Sequence, residues 1–153
     1  MQVSHLLELD RINCNLHAAS KKRVLEQLSQ MITQGETELS QIQVFDSLLS
    51  RERLGSTGLG RGVAIPHARV KNSDRTIAAL LKLDQGIDYD AIDGQPVDLV
   101  FALLVPEHAT EEHLQLLSQL AEMFSDSELV GQLRASNDSQ HLLEVIQEWQ
   151  RAH

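Results

Sequence analysis

The stretch VDLVFALLV, Val97 to Val105, is an almost unbroken run of apolar residues. A strand of this composition suits the centre of a sheet that is covered on both faces. The segment TIAALLKL, Thr76 to Leu83, predicts a second strand, and Gly62 to Ile65 predicts a short third strand that Pro66 ends. The Asp93-Gly94 turn signal ahead of the apolar run indicates that some of these strands are antiparallel.

Segments with helical spacing lie on both sides of these strands in the chain. Five helices are expected, beginning near Ser20, Glu38, Thr110, Ser127 and Ser139. The predicted apolar stripe is Ile42, Phe45, Leu48 and Leu49 in the second helix, and Leu114, Leu117, Leu120, Ala121 and Phe124 in the third. Helices, then strands, then helices imply an α/β fold in which a single mixed β-sheet is flanked by helices on both faces.

The composition fits one domain and excludes several classes of function. With 153 residues, 42% of them hydrophobic, the chain can bury a core, and we expect a single domain over residues 1–153. A formal charge of -9 opposes contact with nucleic acid and with anionic membranes, and no apolar run approaches the length of a membrane span. Because Cys14 is the only cysteine, no internal disulfide is possible, and a reducing, cytoplasmic setting fits best.

The stretch GSTGLGRGVAIPHARV, Gly55 to Val70, places four glycines just ahead of a Pro-His pair. A Walker loop requires Lys and then Ser or Thr where Arg61 and Gly62 stand, and a dinucleotide fingerprint requires the strand before the glycines rather than after them. The glycines alone predict a helix C-cap followed by an irregular connection. They leave His67 unexplained.

The pair Pro66-His67 presets the backbone at the histidine. Pro66 fixes its own φ and holds Ile65 extended, so the ring of His67 leaves the end of a strand in one geometry. For a histidine taken at random, a surface or a satisfied core position is the commoner fate. The position after a strand and a glycine-lined segment singles out this one of the seven as a candidate reactive group.

The segment LGRGVAIPHA, preceded by Glu52, resembles the phosphorylation-site signature of the fructose/mannitol class of enzyme IIA domains in the bacterial phosphoenolpyruvate-dependent phosphotransferase system. The longer RERLGSTGLGRGVAIPHA, Arg51 to Ala68, is similar to the nitrogen-related branch, IIA-Ntr. The resemblance continues from SKKRVLEQL through EEHLQLLSQLA to the C-terminal helix. It implies a mannitol-IIA-like fold and a histidine, His67, whose Nε2 accepts a phosphoryl group from an HPr-like phosphocarrier (NPr).

The resemblance also suggests which side chains support the phosphoryl group. Arg51 matches the active-site arginine, whose planar guanidinium suits two phosphoryl oxygens, although an arginine at a helix end commonly faces solvent. His113 matches the second active-site histidine, and an N-cap at Thr110 would place it near the positive end of a helix; taken alone, it reads as a surface histidine. Ser56 and Thr57 are candidate hydroxyl donors, or they satisfy turn backbone groups.

No metal site and no cofactor are expected. His108 and His113 are close in sequence, with Glu107, Glu111 and Glu112 beside them. Their five-residue offset does not put the two histidines on one face of a helix, so they form a poor ligand set.

The expected function is that of a stoichiometric phosphoryl carrier that also regulates. The resemblance implies that its phosphorylation state controls the binding of target proteins, such as potassium transport or sensor kinase components. Two alternatives stay open: a sugar-specific fructose- or mannitol-type IIA that donates its phosphoryl group to a IIB domain, and a protein-binding module that is never phosphorylated.

Overall fold

The computed structural model describes residues 2–153, which form six strands and five α-helices. The strands are β1 (Ile12–Leu16), β2 (Gly58–Gly60), β3 (Val63–Ala64), β4 (His67–Val70), β5 (Ile77–Ile87) and β6 (Val97–Pro106). The helices are α1 (Lys21–Thr33), α2 (Gln41–Leu54), α3 (Thr110–Phe124), α4 (Ser127–Ala135) and α5 (Ser139–Ala152). Two short 3-10 turns, Val3–Leu6 and Leu9–Arg11, precede β1.

All six strands belong to one mixed sheet with the order β1-β5-β6-β3-β2, and β4 also pairs with β6. β1 is parallel to β5, whereas β5 and β6 are antiparallel. β3 and β4 both run parallel to β6, and β2 returns antiparallel to β3. The predicted mixed sheet is therefore confirmed, with the long apolar strand β6 near its centre.

The side chains of β6 alternate between two cores. Leu99, Phe101 and Leu103 pack on the side of the sheet that α3, α4 and α5 cover. Val100, Ala102 and Leu104 pack on the opposite side, against α1 and α2. A strand that is buried on both faces needs apolar residues at every position, which explains the unbroken run in the sequence. The prediction of helices on both faces is confirmed.

Two helices bury the predicted stripe only in part. In α2 the buried residues are Val44, Leu48 and Glu52, while Ile42 is 75% exposed. In α3 the buried set includes His113 and Leu116, and Leu114 is exposed. Of the predicted stripes, Leu48, Leu120 and Phe124 are buried and Phe45, Leu49 and Leu117 are partly buried, whereas the buried polar residues Glu52 and His113 had not been included.

The glycine-rich segment closes a hairpin between β2 and β3. Gly55 caps the C-terminus of α2, as predicted, but the remaining glycines serve the hairpin. Gly60, Arg61 and Gly62 have consecutive positive φ values of 98°, 58° and 81°. A Cβ at Gly62 would also collide with the guanidinium of Arg134, so this position requires glycine for two reasons.

The third predicted strand is shorter than expected and resumes after the proline. Only Val63–Ala64 form β3, and His67 then begins β4. The pairs Ala64↔Val100 and His67↔Leu103 keep the same register along β6, so β3 and β4 are two parts of one edge interrupted at Pro66. His67 thus opens a strand rather than following one.

Candidate functional site

His67 is half-buried at the start of β4, and its ring is held by the backbone two residues earlier. The Nδ1 atom lies 2.8 Å from the carbonyl oxygen of Ile65. A carbonyl oxygen only accepts hydrogen bonds, so Nδ1 carries the proton and donates it. The lone pair of the neutral ring is therefore on Nε2. Because Pro66 restrains the intervening backbone, this arrangement is set within three consecutive residues.

Two adjoining clefts reach His67. The larger has a volume of about 700 Å³ and is lined by the C-terminal half of α2, by β4 and by the start of α3, including Arg51, Arg69 and His113. The smaller, of about 370 Å³, lies on the glycine-rich side and is lined by Ser56 and Thr57, among others. Arg51 and His67 line both clefts. The fold therefore brings together residues that are up to 62 positions apart in the sequence.

His113 lies edge-on to His67. Their ring centroids are 5.1 Å apart with an interplanar angle of 84°, and His113 is only 5% exposed. Its Nδ1 atom is buried without a hydrogen-bond partner among residues 2–153. Burial lowers the pKa of His113 to about 4, helped by the positive charges that His67, Arg69 and Arg51 can place nearby. The ring is therefore neutral at pH 7.

The predicted N-cap of α3 was wrong by one residue. Ala109 is the N-cap and makes no side-chain hydrogen bond, so Thr110 is the first helical residue. The N–H of His113 accordingly donates to the carbonyl oxygen of Ala109 at 3.3 Å. His113 still lies in the opening turns of the helix, and it lies beside His67, as the resemblance implied, although it is buried rather than on the surface.

The pKa of His67 is lowered from its ordinary value of 6.5, and burial is the main cause. The hydrogen bond to Ile65 opposes this shift, whereas the charge of Arg51 adds to it. A neutral imidazole with a free lone pair is a nucleophile at neutral pH. The geometry and the lowered pKa of His67 thus both indicate that the reactive form is the neutral ring with its lone pair on Nε2.

Arg51 and Arg69 supply positive charge to the larger cleft, which His67 also lines. Arg51 lies in the last turn of α2, and its Nη1 donates to the carbonyl oxygen of Gly55 at 2.9 Å. Arg69 lies two residues after His67 in β4, which places both side chains on the same face of the strand. Arg69 was not predicted from the sequence, although this two-residue spacing could have indicated it.

The hydroxyl groups of Ser56 and Thr57 already donate hydrogen bonds to other groups of the protein. The Ser56 hydroxyl donates to the carbonyl oxygen of Tyr89 at 2.9 Å and accepts from the N–H of Gly58 at 3.1 Å. The Thr57 hydroxyl donates to the buried carboxylate of Glu52. Both residues line the smaller cleft, but neither hydroxyl proton is free to donate to a phosphoryl group in this arrangement.

The described part of the chain contains no group of three or more His, Cys, Asp or Glu side chains placed to hold a metal ion. His108 and His113 line different clefts. Within residues 2–153, no helix combines the length and the apolar character needed to cross a bilayer.

Comparison with known proteins identifies the family. Residues 5–149 match the family model described as "Phosphoenolpyruvate-dependent sugar phosphotransferase system, EIIA 2". The chain belongs to this family. It is 42% identical over 146 residues to the nitrogen regulatory protein of Pseudomonas aeruginosa, and the alignment covers 95% of each chain.

Solved structures place this EIIA protein in the nitrogen regulatory branch. The crystal structure of the nitrogen regulatory protein IIA-Ntr from Neisseria meningitidis has a TM-score of 0.89 and 38% identity, covering 94% of this chain and 98% of that one. The mannitol IIA structure from Escherichia coli has a TM-score of 0.76 at 22% identity, covering 92% and 98%. The mannitol-IIA-like fold that the resemblance implied is confirmed.

Proposed function

We propose that this EIIA protein carries a phosphoryl group on Nε2 of His67 and regulates partner proteins through that modification. The observation that supports this most directly is the 2.8 Å contact from Nδ1 to the carbonyl oxygen of Ile65, because it leaves the lone pair on Nε2. The open cleft beside the ring gives a donor protein access to it. The protein acts as a stoichiometric transfer intermediate rather than as a turnover enzyme.

The transfer needs no proton removal from His67. The lone pair of Nε2 forms the new N–P bond while the N–P bond to the histidine of an HPr-like carrier (NPr) breaks, and that electron pair returns to the carrier's ring. The ring of His67 keeps its proton on Nδ1 and becomes positively charged. The carbonyl oxygen of Ile65 stabilises this developing charge through the hydrogen bond that it already accepts.

Negative charge on the phosphoryl oxygens is met by cations and a neutral donor. Arg51 and Arg69 reach the larger cleft from α2 and β4. His113 is neutral at pH 7, so it can donate a hydrogen bond from Nε2–H without leaving a buried positive charge when the site is empty. Ser56 and Thr57 then act by fixing the backbone around the smaller cleft rather than by contacting the phosphoryl group.

Regulation follows from the charge that the modification adds. A phosphoryl group on His67 adds negative charge to a cleft that Arg51 and Arg69 make locally positive, which weakens or reshapes any interface that covers the cleft. Relatives described as nitrogen regulatory proteins support this output. Targets in the cytoplasm, such as potassium transport or sensor kinase components, would then bind one of the two forms preferentially.

The test is reconstitution with phosphoenolpyruvate, enzyme I and the HPr-like carrier. The wild type should gain one acid-labile phosphoryl group, and His67→Ala should gain none. Mass spectrometry under alkaline conditions should locate the group on His67, and NMR should place it on Nε2. Labelling of His67→Ala, with none on His113→Ala, would reverse the assignment. If the wild type is never labelled, the remaining alternative is a protein-binding module that is not phosphorylated. Rapid onward transfer of the phosphoryl group to a sugar-specific IIB domain would favour the transport alternative.

A further inference from the structure

The carboxylate of Glu52 is a buried charge that the proposed transfer does not use. Its side chain is only 2% exposed, and it lies in the last turn of α2, where the helix dipole disfavours a negative group. A charge placed this unfavourably has to be compensated by close partners. The neighbours of Glu52 therefore indicate which segments of the chain its carboxylate connects.

Four hydrogen-bond donor groups surround this carboxylate. Oε2 lies 2.9 Å from Nζ of Lys21 and accepts from the N–H of Thr57 at 3.2 Å. Oε1 accepts from the hydroxyl of Tyr89 at 3.1 Å and from the hydroxyl of Thr57. Both oxygens are thus satisfied twice, by three residues from three different segments of the chain.

The three partners belong to three segments, of which the loop after α2 lines the smaller cleft. Lys21 is the first residue of α1, and its Nζ also approaches the carbonyl oxygen of Tyr89 at 3.4 Å and lies 4.5 Å from the centre of that ring. Tyr89 is fully buried in the β5–β6 connection, and its carbonyl oxygen accepts from the hydroxyl of Ser56. Glu52 is the common acceptor on which α1, this connection and the loop after α2 converge.

A continuous hydrogen-bonded path leads from this carboxylate to the reactive ring. Glu52 accepts from Thr57, and the carbonyl oxygen of Thr57 accepts from the N–H of Ile65 at 3.0 Å. The carbonyl oxygen of Ile65 then accepts from Nδ1 of His67 at 2.8 Å. The backbone group that selects the tautomer of His67 is therefore anchored through Thr57 to Glu52.

We propose that Glu52 is a positioning residue: by holding Thr57, it fixes the Ile65 carbonyl that keeps the proton of His67 on Nδ1 and so keeps Nε2 free. The expected effect on the rate of phosphoryl transfer rests on the proposed function, but the tautomer of His67 can be measured without any phosphoryl donor. A role limited to stability would leave the tautomer of the folded protein unchanged.

The first experiment records the ¹⁵N shifts of the His67 ring by NMR in the wild type, Glu52→Gln and Tyr89→Phe. The wild type should show a single Nδ1–H tautomer. Glu52→Gln should show an added Nε2–H population, because the amide cannot accept from Lys21, Tyr89 and Thr57 together. Tyr89→Phe removes one donor only, so it should fold readily and shift the tautomer in the same direction by a smaller amount.

Arg11→Met is the matched control for lost stability. The guanidinium of Arg11 is buried and donates to the carbonyl oxygens of Ala78 at 2.9 Å and Leu6 at 3.1 Å, with no bond to the Glu52 path. This variant should unfold more easily and keep the wild-type tautomer. A shift of equal size in Arg11→Met would show that general loosening moves the tautomer, which would overturn the role of Glu52.

The second experiment measures single-turnover transfer from the phosphorylated HPr-like carrier, corrected for the folded fraction. Glu52→Gln should be slower by on the order of 10- to 100-fold, the cost of a small misplacement of a reacting group, while Arg11→Met should match the wild type. A Glu52→Gln protein with the wild-type tautomer and rate refutes the proposal and leaves the proposed function intact. A wild type that accepts no phosphoryl group refutes the proposed function, and the tautomer measurement still decides the role of Glu52.

Discussion

The buried ring of His113 predicts a specific loss of stability in acid. Its pKa in the folded protein is about 4, whereas an unfolded histidine has the ordinary value of 6.5. Between these two values the unfolded chain binds a proton that the folded protein does not, so the free energy of unfolding falls as the pH falls. Above pH 6.5 both states are neutral at this residue, and the effect disappears.

The size of the effect follows from the gap between the two values. Each pH unit within this window costs about 1.4 kcal/mol, so the loss from pH 7 to pH 4.5 is about 2.5 kcal/mol. This is a large share of the roughly 5–15 kcal/mol by which a domain of ordinary stability is folded. The charge that His67 can place beside His113 acts in the same direction.

His113→Gln isolates this contribution. The amide does not titrate, and any cost of the changed shape is the same at every pH. Urea unfolding followed by far-ultraviolet circular dichroism should therefore show that the wild type loses about 2.5 kcal/mol more than the variant between pH 7 and pH 4.5. His141→Gln, exposed on α5, is the control and should follow the wild-type profile. An equal difference between wild type and His113→Gln at both pH values would refute a neutral, desolvated His113.

Three further outcomes are expected. Because burial lowers the pKa of His67 below 6.5, initial rates of labelling should stay level above pH 6.5 and decline only at lower pH. Arg51→Lys should slow labelling by on the order of tenfold, because an ammonium cannot replace two parallel guanidinium bonds, whereas Ser56→Ala should slow it by clearly less. Gly62→Ala should lower the free energy of unfolding, measured in urea, by roughly 1–3 kcal/mol because of its positive φ, while Gly131→Ala, in open space on α4, should not lower it.

Local signals predicted all five helices and three of the six strands, whereas β1, β2 and β4 were not predicted. Ser20 accepts a hydrogen bond from the N–H of Arg23, as an N-cap does, and the apolar run became β6 over Val97–Pro106. The order of the strands in the sheet had no such signal. Pairings such as Ile12 with Leu80 join residues far apart in the chain, and their register depends on the complete packing of both cores.

The predicted helix stripes included neither of the buried polar residues, Glu52 in α2 and His113 in α3. A hydrophobic pattern assigns polar residues to the solvent side, and this fails where a polar side chain is buried with partners. Glu52 is buried because Lys21, Tyr89 and Thr57 meet it, and two of these come from distant segments. Those partners are visible only in the folded chain, so the sequence alone gave no reason to place Glu52 in the buried stripe.

The net charge of the chain is likewise an average, and it does not show the local charge at the site. A net charge of -9 argues against anionic partners, yet the larger cleft beside His67 is lined by two arginines. At physiological salt, charges separated by more than about 8 Å are largely screened, so His67 responds to the charged groups nearest to it: Arg51 and Arg69 lower its pKa, and Glu52 raises it. Burial is the main cause of the lowered pKa of both His67 and His113, and the charges of Arg51 and Arg69 add to it. An acidic protein can therefore present a locally cationic site to a phosphoryl group, and after transfer the remaining acidic surface limits nonspecific contact with other anions.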